Sequence, residues 1–327
     1  MPAISRSVVV LERNRIVAQR VARVLSATTE LSEVHIGESP AELKANLGPQ
    51  TVLVALDASE LDVALEWVRG PYPHLQVVAW SQNSLTSALQ VARHEPRLRC
   101  ILGWPAHQSI PRVWELALAA RRAFDGPEAR ALRITDLLSW GGSSIKWLVR
   151  NSAERDHAVS EVERYAAMAG ANSRLLERLA VVAHELLMNA MYDAPVGPNG
   201  KALYAHDRKQ QVILDDAEAP TLRFALDGMT CALEVVDPFG RLQRQHVLGS
   251  ILRGIEGGQN AQAQVLDTSH GGAGLGFFRM HAACSSLVVD VRPNVASRVM
   301  TLFDMDASPR EARALPASLH LFCPESS

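Results

Sequence analysis

The feature that most constrains this chain is a change of tempo at Gly126-Pro127. Before it, short apolar runs alternate with amphipathic segments. Residues 8–11, 51–56, 76–80 and 100–102 read as strands apolar on both faces, with a weaker strand at 33–36. Residues 17–25, 62–69, 85–94 and 112–124 place apolar side chains at helical spacing. Strands buried on both faces and separated by helices predict a parallel sheet with helices covering it. Gly126-Pro127 ends the last helix and marks the boundary, giving domains at 1–125 and 126–306.

After the boundary the helices lengthen and the strands pair locally. The pattern predicts a strand at 146–149, helices at 153–169 and 174–192, and a loop at Gly197-Pro198-Asn199-Gly200. Strands at 221–226 and 230–236 flank Asp227-Gly228, a favoured hairpin turn. A Gly- and Gln-containing stretch over 254–270 reads as a loop, followed by a short helix at 275–283 and strands at 286–292 and 299–304. Helices on one face of a largely antiparallel sheet make an α+β two-layer sandwich. Residues 307–327, rich in Pro, Ala and Ser, read as a loosely held tail.

Composition narrows the partners. The 327 residues suit two domains, and 47% apolar with 21% charged residues is the balance of a soluble globular protein. A formal charge of −2 offers no general attraction to nucleic acid or to an acidic membrane surface. No apolar stretch is long enough to span a bilayer. Cys100, Cys231, Cys284 and Cys323 have no close pairing, which predicts reduced, buried thiols in a cytoplasmic protein.

Three local patterns in the second domain carry chemistry. In HELLMNA, Glu185 and Asn189 lie four residues apart and share a helix face. An Asn oxygen suits a hard cation and a Glu suits a general base, although the same pair also fits a solvated helix face. In LEVVDPFGRL, Asp237 ends an apolar strand, and Gly240 follows in a turn. That carboxylate could accept a hydrogen bond from an exocyclic amine or only form the turn. In GGAGLG, residues 271–276, Gly272, Gly274, Leu275 and Gly276 precede a helix. Glycines there let backbone N–H groups approach phosphate oxygens, or make a tight connection. A dinucleotide fingerprint should follow the first strand of a parallel unit, and a P-loop should end in Gly-Lys-Ser/Thr. Neither condition is met.

The order and spacing of the three patterns resemble the GHKL ATPase superfamily, the fold of gyrase, histidine kinases and the anti-sigma-factor serine kinases. HELLMNA is similar to its N box, VVDPFG to its first glycine motif and GGAGLGF to its second, over about residues 138–306. The resemblance implies ATP and Mg2+ as cofactors, with Asn189 on the metal, Glu185 polarising the attacking group and Asp237 on adenine. It also implies that Gly272, Gly274 and Gly276 close over the phosphates and that residues 241–270 form a lid. From that lid Arg241, Arg244 or Arg253 could reach the phosphates. The first glycine motif departs from the family pattern, since Phe239 stands where a glycine is usual.

The approach to the N box lacks a phosphoacceptor hairpin. His157 has no apolar and proline context, and His184 lies within the N box. The arrangement resembles the anti-sigma-factor kinases, which phosphorylate a Ser or Thr of a partner or sequester it. A gyrase-like role on nucleic acid would need a transducer domain, for which the chain offers no length.

The first domain resembles a receiver of two-component systems, a doubly wound parallel sheet, over about residues 5–124. Ser81 matches the switch residue. The acidic pair is reduced to Glu12 before Arg13, Ala55 aligns with the phosphoacceptor with Asp57 two residues on, and Trp104 replaces the Lys before Pro105. These departures leave phosphoryl charge poorly neutralised, so the expected module is a pseudo-receiver that binds a protein or a second copy of itself. The expected whole is a signalling protein whose partner is a protein, acting as a kinase or as a scaffold.

Overall fold

β1 (Ser7–Leu11) is buried at all five positions, as a strand covered on both faces must be. It heads the first of two compact units, which comprises the first 130 residues with residues 318–320. The computed structural model describes residues 6–29, 32–105, 108–126, 129–197, 202–205, 207–208, 210–257, 274–307 and 316–323.

In the first unit β2 (Glu33–Gly37), β3 (Thr51–Asp57), β4 (Gln76–Ser81) and β5 (Leu98–Gly103) join β1 in the order β2-β1-β3-β4-β5, all parallel. α1 (Arg15–Thr28), α2 (Pro40–Lys44), α3 (Leu61–Arg69), α4 (Thr86–His94) and α5 (Val113–Asp125) connect or follow them. α1 starts where the Asn14 side chain accepts from the Ile16 and Val17 amides. The chain moves one way from β1 to β2 and the other way from β3 to β5. Right-handed crossovers therefore place helices on both faces and leave a crevice at the C-terminal ends of β1 and β3.

The second unit is a sheet of β6 (Ser143–Leu148), β7 (Thr221–Leu226), β8 (Thr230–Asp237), β9 (Ser286–Arg292) and β10 (Ala296–Asp304) in the order β9-β10-β8-β7-β6, every pair antiparallel. α6 (Ser152–Met168) and α7 (Ser173–Met188) pack side by side, and α8 (Arg244–Gly257) packs against α9 (Gly276–Ala283). Ile145, Phe224 and Leu233 align across β6, β7 and β8, as do Trp147, Leu222 and Val235. The Trp147 ring lies 6.2 Å from that of Tyr165 in α6, so helices cover this face. On the opposite face the buried Glu234 accepts from Arg223 at 2.9 Å and from Arg298 at 2.7 Å. α7 buries Leu175, Leu179, Val182, Leu186 and Leu187, each such side chain contributing about 1.5–3 kcal/mol when fully buried.

Several expectations change. The supposed loop from Gly254 begins inside α8, whose Val247, Leu248, Ile251 and Leu252 recur at helical spacing and are buried. Residues 258–270 lie outside the described residues. β6 starts at Ser143 rather than at residue 146. The predicted tail contains β11 (Ser318–Phe322), buried throughout. Its Leu319 and His320 pair antiparallel with Ile101 and Cys100 of β5. Leu319, Leu321 and Phe322 give five residues enough apolar surface for a buried strand, and the Pro- and Ala-rich residues upstream hid it. Ser318 Oγ donates to Glu115 Oε2 and accepts from the Gly103 amide, both at 2.9 Å. The His320 ring lies 5.7 Å from that of Trp114. Burial alone would lower its pKa, but Cys100 and Glu115 beside it raise it to about 9.

All four cysteines are buried thiols outside any disulfide. Among the described residues no helix is long and apolar enough to cross a membrane.

Candidate functional site

α7 brings Glu185 and Asn189 to its C-terminal end on one face, and at Asn189 the α-helix passes into a π-helical turn, Asn189–Asp193. Such turns are rare and recur at functional sites. Asn189 is half-buried, and among the described residues its side-chain amide has no hydrogen-bond partner. Glu185 is buried, and its Oε1 accepts from Arg279 Nη1 at 2.8 Å.

The glycine-rich turn meets this pair. A Cβ placed on Gly276, the first residue of α9, would lie 2.9 Å from Glu185 Oε2 and 3.5 Å from Asn189 Oδ1. A side chain at residue 276 would have to displace the Glu185 carboxylate, so glycine there lets the start of α9 sit against this pair. Leu275 caps that helix, its carbonyl accepting from the Arg279 amide at 3.0 Å. Gly274 has a left-handed φ of +67°, and its carbonyl accepts from Arg253 Nη2 at 2.9 Å. Arg253 thus reaches the glycine turn. Gly272 lies outside the described residues.

Asp237 ends β8 on the helix-covered face and is 7% exposed. Its Oδ1 accepts from the Phe239 amide at 2.9 Å and from the Gly240 amide at 3.2 Å, so the carboxylate does form the turn. Burial raises its pKa despite those donors. Gly240 has φ +63°, and a Cβ there would lie 2.1 Å from the Arg292 carbonyl. This glycine is required by its own packing, which offers no opening for a ligand at that point.

Sequence reasoning missed Arg279, three residues into α9, and the pair of Arg208 with Asp193. Burial raises the Asp193 pKa. Arg279 was legible only once Gly276 was set against Glu185. Burial, with Arg155 nearby, lowers the His184 pKa.

In the first unit Asp57 is the last residue of β3, closer to the strand than its alignment implied. With Glu12, Asn14, Arg20, Ser81 and Trp104 it lines a cavity of about 620 Å³ at the strand ends. Glu12 Oε1 accepts from the Asn14 amide at 2.9 Å, and its Oε2 accepts from Trp80 Nε1 at 3.1 Å. Asp57 Oδ1 accepts from the amide and hydroxyl of Ser59. Among the described residues no lysine lines this cavity, and no three His, Cys, Asp or Glu side chains gather as a metal cage.

No protein-family model matches the chain, and no curated protein matches it. Among solved structures it is similar to the SiaB–SiaC complex from Pseudomonas aeruginosa, at 15% identity over 49% of this chain and 88% of that one, with a TM-score of 0.31. A likeness at that distance carries no argument about activity or partners.

Proposed function

We propose that the second unit is a GHKL-type domain that binds ATP with Mg2+ and phosphorylates a Ser or Thr of a protein partner, or sequesters that partner. The observation that carries this reading is the approach of Gly276 to Glu185 and Asn189. It gathers an amide oxygen with no partner among the described residues, a carboxylate and the start of a helix, the donor set that a metal-bound polyphosphate needs. Asn189 would hold the metal, the amides at the start of α9 the phosphates, and Asp237 the adenine. The metal would supply charge neutralisation for phosphoryl transfer. Glu185 would accept the partner's hydroxyl proton after its pairing with Arg279 opens.

The first unit, in this reading, is a receiver-like regulator that is not phosphorylated. Its support is the engaged state of both Glu12 oxygens and a cavity that no described lysine lines.

A second reading, an inactive scaffold, is favoured by the Glu185–Arg279 ion pair, which occupies the candidate base. Calorimetry with ATP, with and without Mg2+, tests the first reading. Magnesium-dependent binding should be present in the wild type and lost in Asn189→Ala. Glu185→Gln should retain binding and lower radiolabelled phosphate transfer to a partner by about 10²–10⁴-fold. Binding without transfer in the wild type selects the scaffold, and no binding at all sinks the nucleotide site.

A further inference from the structure

β6 ends the sheet of the second unit and is bonded on one side to β7. Its outer row of N–H and C=O groups has no strand partner among the described residues. Ser143, Ser144, Ile145 and Lys146 are all exposed, so solvent reaches this end of the strand from both faces. Soluble proteins normally shorten, charge or cover such an edge, because it is a template for another strand. Here Lys146 charges one face of the edge, but the other carries apolar surface. Ile145 is 37% exposed, and Trp140, just ahead of the strand, is 102% exposed.

We propose that this edge pairs antiparallel with the same edge of a second copy of the chain, about a two-fold axis at Ile145. The register follows from symmetry and charge. A two-fold axis perpendicular to the sheet keeps the helices of both copies on one side. Directly opposed residues in an antiparallel pair share a face, so the axis must pass through a residue, not between two. Centred on Lys146, the joint would oppose two ammonium groups, which is destabilising. Centred on Ser144, it would extend into Gly142, whose amide is committed to the preceding turn through the Ser139 carbonyl. Centred on Ile145, residues 143–147 pair. Ile145 then meets Ile145, Lys146 faces a serine hydroxyl at Ser144, and Ser143 faces Trp147. Trp140 flanks the joint at each end, where its indole covers the partner's strand. The edge is thus self-complementary in backbone, charge and apolar surface.

Sedimentation of the full-length chain over a concentration series tests this. The wild type should dimerise reversibly. Ile145→Lys sets two ammonium groups across the axis and should weaken the dimer by roughly ten-fold or more. Ser144→Glu creates two Glu–Lys pairs across the joint and should tighten it several-fold. Trp140→Ala, outside the strand, should weaken it with β6 intact. These positions are exposed, so circular dichroism should be unchanged, and the melting temperature should be unchanged at concentrations where the chain is monomeric. A wild type that stays monomeric up to roughly 100 μM, where even a weak specific interface populates the dimer, overturns the proposal. So does a dimer that neither Ile145→Lys nor Ser144→Glu moves.

Discussion

Asp57 and Asp237 each end a strand, and each turns one oxygen back on its own following residues. Asp57 Oδ1 accepts from the Ser59 amide at 2.9 Å and hydroxyl at 2.7 Å, while Asp237 Oδ1 accepts from the Phe239 and Gly240 amides. Their surroundings differ. Asp57 is half-buried and opens on a polar cavity, whereas Asp237 is buried, and that burial pushes its pKa up. The same local capping therefore leaves one carboxylate in contact with water and holds the other where its charge is penalised. The turn chemistry is a property of a few consecutive residues; the burial is set by elements far away in sequence.

The largest test compares the turns themselves. Gly240→Ala combines a left-handed φ with a Cβ 2.7 Å from the Val295 amide and closer still to the Arg292 carbonyl, all backbone atoms that cannot step aside. It should lower stability in urea by about 3 kcal/mol. Ala58→Gly, in the turn after Asp57, should cost only about 0.5–1 kcal/mol. Equal effects would erase the distinction between the two turns.

A second test asks whether burial, not the unit, sets the response of a titrating group. His320 is a buried group in the unit that holds Asp57. Its folded pKa of about 9 lies above the unfolded value, so its contribution is complete below about pH 6.5 and disappears as pH rises through 9. Urea midpoints should fall over that interval by an amount equivalent to about 2 kcal/mol, and His320→Gln should remove the slope. A wild type with the same midpoint at pH 6 and 9 would contradict it.

A smaller effect separates the carboxylates directly. A raised folded pKa means that the native state of the second unit gains from protonating Asp237, a gain present at low pH and lost as pH rises through the folded value. Asp237→Asn keeps the Oδ1 acceptor and removes the charge. It should stabilise by about 1 kcal/mol at pH 7, with the advantage shrinking as the pH approaches about 4. Asp57→Asn should change stability by less than about 0.5 kcal/mol. If Asp237→Asn is instead destabilising at neutral pH, a charge partner for that carboxylate is at work.

The strands of the first unit were legible because uninterrupted apolar runs such as Val8-Val9-Val10-Leu11 have few other uses. The helix bearing Glu185 and Asn189 was legible from its spacing, but its π-helical ending was not, because no residue type demands one. That Asp237 forms its own turn was visible as an alternative in the Asp-Pro pair. The Glu185–Arg279 ion pair was not, since it depends on the distance between two helices and not on any local pattern. β11 escaped because residues around it are typical of a tail, while its partner β5 lies far upstream.

That last strand fixes an order of events. Gly103 and Ser318 are 215 residues apart, yet one hydrogen-bonds the other within the first unit. A ribosome releases β5 long before β11 exists, so the first sheet waits with an open edge while the second unit is made. Closing so long a loop is slow compared with local pairing. Maturation of the first unit is therefore clocked by synthesis of β11, and a nascent chain stalled before residue 318 would carry an adhesive margin that β11 conceals.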